Sequence, residues 1–135
     1  MTKFFTVFVL LLFSMNATAS YILIPMDAES QKEHLKAYGL TYWTLEKNVK
    51  VKWLLNYRGG SFLLPDSEEI KKECQIRGIS FEVLSNGKTE QILSEIGSPS
   101  KNMEAVVLEK APRIAVYSPK GNLPWDDAVT MVLTY

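Results

Sequence analysis

Residues 21–25 read Tyr-Ile-Leu-Ile-Pro (YILIP), an apolar run without polar alternation. A strand with one wet face alternates apolar and polar side chains, so this run fits a strand covered on both faces. It points to a central strand, and a parallel arrangement is the reading it invites.

Downstream, Ser30 and Glu33 have the spacing of a capping box, in which hydroxyl and carboxylate satisfy free backbone donors at a helix start. Leu35, Tyr38, Tyr42, Trp43 and Leu45 fall near one face of the helix that follows, with Lys32, Glu33, Lys36 and Lys47 toward solvent. Gly39 in mid-helix costs about 1 kcal/mol relative to Ala, which predicts a close-packed neighbour there. Residues 49–57 (VKVKWLLNY) read as a second strand, broken by Arg58-Gly59-Gly60-Ser61, and residues 62–64 form a short apolar segment ended by Pro65. Asp66, with Glu69 three positions on, is placed to cap a helix that carries Ile70 and Cys74 on one side and ends at a left-handed Gly78.

Residues 79–84 (ISFEVL) alternate as a third strand, Ser85-Asn86-Gly87 turns, and residues 89–96 read as a short helix striped by Ile92, Leu93 and Ile96. A connector follows, with a short strand at 106–108. Residues 114–117 (IAVY) read as another buried strand, 118–123 as a loop, and Pro124 suits the first turn of a helix running to Tyr135. Strands alternating with helices predict an α/β fold with a mostly parallel, Rossmann-like or flavodoxin-like sheet. The last helix has no C-cap, so the sheet is expected to be incomplete at the C-terminus.

Upstream of YILIP, Lys3 gives a basic start, residues 4–13 are an apolar run, and Ala17-Thr18-Ala19 has the small-residue pattern of a cleavage site. These are the marks of a secretory signal peptide over residues 1–19, cut after Ala19. Ten apolar residues rise only ~15 Å as a helix, short of a bilayer's hydrocarbon core, so no transmembrane anchor is expected after cleavage. The protein is thereby read as exported, periplasmic or secreted. Residues 20–110 read as one α/β unit and residues 111–135 as the start of a second.

Removing the first 19 of 135 residues leaves 116, with 14 basic against 15 acidic side chains. That balance argues against a nucleic-acid partner bound by phosphate neutralisation. One Cys and one His cannot build a Cys- or His-rich metal site, and the glycine spacings of nucleotide motifs are missing, so no metal or cofactor is implied. Oligomeric state stays open.

In open α/β sheets ligands bind beyond the carboxyl ends of strands, which directs attention to three loops. The first holds Asp27. The second holds Arg58, Gly59, Gly60 and Ser61, where paired glycines and a guanidinium suit a small polar or anionic ligand, a tight turn with a solvated Arg being the alternative. The third holds Ser118, Lys120 and Gly121 and leads to Asp126 and Asp127, either a cation or general-base pair or carboxylates favoured by the helix dipole. Cys74 shares a helix face with Ile70 and reads as a buried thiol, and His34 sits on a solvated face. Tyr38, Tyr42 and Trp43 read as core, while Trp53 and Trp125 are able to reach a cleft.

Residues 34–65 (HLKAYGLTYWTLEKNVKVKWLLNYRGGSFLLP) and 109–135 (EKAPRIAVYSPKGNLPWDDAVTMVLTY) resemble a family of exported bacterial proteins catalogued as asparagine synthetase B. The order of elements from Ile114 onward is similar to the opening of a class I glutamine-amidotransferase-like domain. The resemblance implies a longer protein whose Cys or Ser nucleophile, on a strand-to-helix elbow, lies beyond Tyr135. No synthetase residue transfers: Thr2 stands where a glutaminase Cys is required, and no S-G-G-x-D-S loop is present. The expected function is therefore amidotransferase- or hydrolase-like, and the alternative is a non-catalytic envelope protein that binds a small polar ligand or a protein partner.

Overall fold

The computed structural model describes residues 20–113 and residue 115. The signal-peptide reading of residues 1–19, the strand at 114–117 and everything read from 118 onward lie outside the described residues.

Eight elements follow one another: β1 (Tyr21–Ile24), α1 (His34–Glu46), β2 (Val51–Leu55), β3 (Ser61–Pro65), α2 (Glu68–Arg77), β4 (Glu82–Leu84), α3 (Asn86–Ile96) and β5 (Glu104–Leu108). The strands form one sheet in the order β4-β1-β3-β2-β5. Every neighbouring pair is antiparallel, with Ile22 opposite Leu64, Trp53 opposite Phe62, and Val51 opposite Leu108. The fold is α/β as expected, but the sheet is antiparallel and not parallel, and the Rossmann-like or flavodoxin-like arrangement is corrected accordingly. Its first six elements have the order of the split β-α-β arrangement called ferredoxin-like, with β3 inserted between β1 and β2.

The cause of the misreading is specific. Residues 61–65 are a full strand, joined to β2 by a tight turn, and this strand separates β1 from the strand that α1 leads into. The apolar character of YILIP reports burial on both faces, which is borne out, and carries no information about strand direction. Ile22 and Ile24 face a core shared with Ala37, Leu40, Leu64, Ile70 and Cys74 from α1, β3 and α2. Leu23 faces the opposite side, packed with Leu54, Leu63, Ile92 and Ile96 beneath α3. Three layers result, and the central pair β1 and β3 is dry on both sides, while Val83 and Val107 on the outer strands stay exposed.

Several local expectations are also corrected. Ser30 caps no helix: α1 begins at His34 with Glu33 at its N-cap, and no side chain caps it. Ser67, not Asp66, precedes α2, because Asp66 turns instead to Ser20 and Lys71. The strand at 79–84 shortens to Glu82–Leu84, while the one at 106–108 lengthens to Glu104–Leu108. Helix α3 starts at Asn86, where Ser85 accepts from the Lys88 N–H, so the expected turn is its N-terminus. Gly39 has open space around it, against the expected close neighbour. Gly78 does close α2 with φ +70°.

The largest correction concerns α1. Its inward side is Ala37, Leu40, Thr41, Thr44 and Leu45, while Leu35, Tyr38 and Tyr42 are left exposed. The threonines bury because each hydroxyl donates to a carbonyl one turn back, Thr41 to Ala37 at 3.0 Å and Thr44 to Leu40 at 2.9 Å. Polar by type, they are satisfied within the helix and present methyl groups to the core.

Leu64 is fully buried in the sheet centre. Leu64→Ala is expected to cost about 2–5 kcal/mol, from lost transfer energy and the cavity left behind, read as a lower urea midpoint at unchanged slope.

Candidate functional site

The two described loops singled out in the sequence meet at one end of the sheet. The first follows β1, and the second is the β2–β3 turn, where Asn56, Arg58, Gly59 and Gly60 all have positive φ. Gly and Asn take up such backbone most readily, which leaves Arg58 as the strained member of the turn, and Gly59 has a second reason to lack a Cβ. A Cβ built on it would lie 2.4 Å from the Met26 carbonyl oxygen, so the two loops touch backbone to backbone there. The Met26 N–H donates to the Arg58 carbonyl at 3.0 Å across the same contact.

Arg58, a non-glycine residue at φ 44°, is held by three side chains. Its Nε donates to Asp27 at 3.1 Å, Nη1 to Glu82 at 2.7 Å, and Nη2 to the Ser30 hydroxyl at 2.9 Å. Asp27 also accepts from the Ser30 N–H at 2.9 Å. Hydrogen bonding from Ser30, supported by Arg58, holds the Asp27 carboxyl below its ordinary range, and the bond to Glu82 raises the Arg58 guanidinium above its own. Ser61 donates its hydroxyl to the Tyr57 and Arg58 carbonyls, closing the turn. Two carboxylates thus face one guanidinium, and an anion would reach Arg58 only by displacing Asp27 or Glu82. The arrangement laces β1, β4 and the β2–β3 turn together.

Thus the structure brings Asp27, Arg58, Gly59, Gly60 and Ser61 into one cluster. Ser118, Lys120, Gly121, Asp126 and Asp127 lie outside the described residues. Sequence reasoning missed Glu82 and Ser30 as partners of Arg58. It also missed Gln31, which is buried and bridges Pro25, Glu33 and Ser80 through both ends of its amide. No local pattern marks these residues, since Arg58 for Ser30 and Glu82, and Ser80 for Gln31, come from distant parts of the chain.

Cys74, the one thiol of the chain, is not poised to react. Cys74 is buried, and desolvation pushes its thiol up to about 11, away from the thiolate a nucleophile requires. His34 places Nε2 3.1 Å from the Met26 carbonyl. Among the described residues no group of His, Cys, Asp and Glu is placed to hold a metal ion.

A second feature lies on the α1 side of the sheet, a groove of about 460 Å³ between Tyr38 and Tyr42 on one wall and the end of β5 on the other. Trp53 and Phe62 form its floor, stacked with centroids 6.0 Å apart, and Tyr38 meets Phe62 edge-on at 5.5 Å. The expectation that Trp53 reaches a cleft agrees with this position. Tyr38 and Tyr42, read from the sequence as core, are groove walls instead.

Comparison of the chain with protein-family models, with curated proteins and with solved structures gave no match.

Gly59 and Gly78 are both left-handed, but only Gly59 is hemmed in. Gly78→Ala is expected to cost about 1–2 kcal/mol from backbone conformation alone, and Gly59→Ala clearly more, measured by urea denaturation. Because the Asp27 pKa is depressed in the folded state, its stabilisation is present above the ordinary Asp value of about 3.9 and is lost as pH falls through the folded value. Asp27→Asn should therefore destabilise at neutral pH and converge on wild type in acid, seen by comparing unfolding midpoints across that range.

Proposed function

We propose that this chain is the front part of an exported protein that resembles the family catalogued as asparagine synthetase B. In this reading the protein is amidotransferase- or hydrolase-like. Residues 20–113 are a non-catalytic supporting unit, and the nucleophile lies farther along the chain than Tyr135. The observation that carries the reading is the state of Cys74: a thiol on the buried side of α2, packed in the core with Ile70 and with its pKa raised by desolvation, is a packing group. The polar cluster around Arg58 supports it too, since its charges are engaged with one another. A fold of this kind does not specify a reaction, so the chemistry is assigned through the resemblance.

Export rests on the basic start, the apolar run and the Ala17-Thr18-Ala19 pattern. No helix among the described residues is long and apolar enough to cross a membrane. The second reading, a non-catalytic envelope protein, is favoured by the exposed aromatic groove, whose lining suits a protein segment better than a small polar ligand.

The test uses the full gene product recovered from its host, assayed for glutamine and chromogenic ester hydrolysis. Turnover blocked by a Cys- or Ser-directed covalent inhibitor is expected, with the label mapping beyond Tyr135, while Cys74→Ala changes turnover by less than about twofold. A label on Cys74, or turnover lost in a folded Cys74→Ala protein, would sink the proposal. Absence of hydrolysis of both substrates would transfer support to the envelope-protein reading.

A further inference from the structure

Ser20 is the first residue after the expected cut, and it is already held by the fold. Its carbonyl accepts the Asp66 N–H at 3.0 Å, and its hydroxyl donates to Asp66 Oδ2 at 2.5 Å. Strand β1 begins at the next residue, Tyr21, which lies opposite Pro65 of β3. Asp66 gives its other oxygen, Oδ1, to Lys71 Nζ at 2.6 Å, and the same ammonium reaches Glu68 at 2.9 Å. Glu69, the next carboxylate of α2, is taken by Lys47. Two carboxylates, Asp66 and Glu68, thus share one cation among the described residues, while the Oδ2 side of Asp66 meets a neutral hydroxyl. An open hollow of about 470 Å³ adjoins them, and Ser20, Tyr21, Asp66, Glu68 and Lys71 line it.

We propose that signal-peptide removal completes this cluster: the α-ammonium released on Ser20 becomes its second cation and ties the start of β1 to the start of α2. The inference rests on the export reading, with its cut after Ala19. Covalent geometry sets the distance. The Ser20 nitrogen is three bonds from Oγ, within about 4 Å of it in any rotamer, and therefore within about 6 Å of Asp66 Oδ2. Opposite charges at that range favour the charged form of both groups, and Asp66 is only 18% exposed, so screening by solvent is limited. Hydrogen bonds from Lys71 and Ser20 hold the Asp66 carboxyl below its ordinary range, which keeps it ionised wherever the amine is charged. In the uncut chain the same nitrogen is an uncharged amide, so cleavage itself supplies the cation. Lys71 and the positive end of α2 oppose the newcomer. Lys71, however, holds Oδ1 and leaves Oδ2 facing Ser20. An α-amine paired in this way titrates above its ordinary value of about 7.7–8.0, so its stabilisation is complete below that value and is lost as pH rises through the folded one.

The test uses the exported gene product recovered from its host, whose N-terminal sequence should begin at Ser20. Trace acylation of that α-amine across a range of pH, read by mass spectrometry of the N-terminal peptide, gives the amine's titration midpoint. In the folded protein the midpoint should lie at least about 0.5 higher on the pH scale than in the same chain unfolded in urea. Asp66→Asn, which keeps the shape and removes the charge, should bring it back to the unfolded value or below. Lys71→Gln, which removes the competing cation, should raise it further. A merely structural contact at Ser20 would not move the midpoint in opposite directions. Should Asp66→Asn unfold the protein, Lys71→Gln decides alone, and a midpoint that does not rise there overturns the inference. A mature chain that begins at another residue removes the cleavage reading and the inference with it. A chain that does begin at Ser20, but whose midpoint is the same folded and unfolded or is unmoved by Asp66→Asn in folded protein, leaves the export reading standing and overturns the inference alone.

Discussion

Strands β1 and β3 lie side by side with Ile22 opposite Leu64 and Leu23 opposite Leu63, and water is excluded from both faces of the pair. Each fully buried aliphatic side chain contributes about 1.5–3 kcal/mol, and successive residues point to opposite faces, so each face of the pair must be covered for the benefit to be realised. Helices α1 and α2 cover one face and α3 the other. The three-layer build follows from that requirement. It depends in turn on β3 entering between β1 and β2, which is possible only because the chain reverses within residues 56–60.

That reversal ties the core to the polar end of the molecule. Four left-handed residues turn the chain, Gly59 brings its backbone against Met26, and Arg58 projects back to Asp27, Ser30 and Glu82. The left-handed conformation of Arg58 is held by contacts reaching two separate segments, the loop after β1 and strand β4, and its charge serves the fold. The loops after β1 and β2 thus converge where a ligand site is expected, and what they build is a brace. Open apolar surface appears at the other side of α1, in the groove walled by Tyr38 and Tyr42.

Much of the core was legible in the amino-acid sequence because it depends on composition over short windows. The unbroken apolar run of β1 announces two covered faces, Ile70 and Cys74 announce the inward side of α2, and Gly78 announces its end. Capping boxes were misread because Ser30 and Asp66 have better partners in space: Arg58 for the one, Ser20 and Lys71 for the other. In α1 both sides are apolar, and the choice fell to the side that sets Ala37 and two self-bonded threonines against the sheet. Of the candidate cluster, Asp27 and the Arg58 to Ser61 turn were found by their place after strands. Ser30, Glu82 and Gln31 were not, since nothing local distinguishes them.

By itself the amino-acid sequence determined where β1, β2 and the three helices form and that β1 and the Ile70–Cys74 side of α2 are buried, because hydrophobic periodicity and backbone preference are properties of neighbouring residues. Strand direction, the insertion of β3, the pairing of Arg58 with two carboxylates and the exposure of Tyr38 and Tyr42 were decided only in the tertiary structure. Each depends on which distant segments become neighbours. An apolar strand is equally content with a parallel or an antiparallel partner, and it was the tight turn leading into β3 that settled the matter.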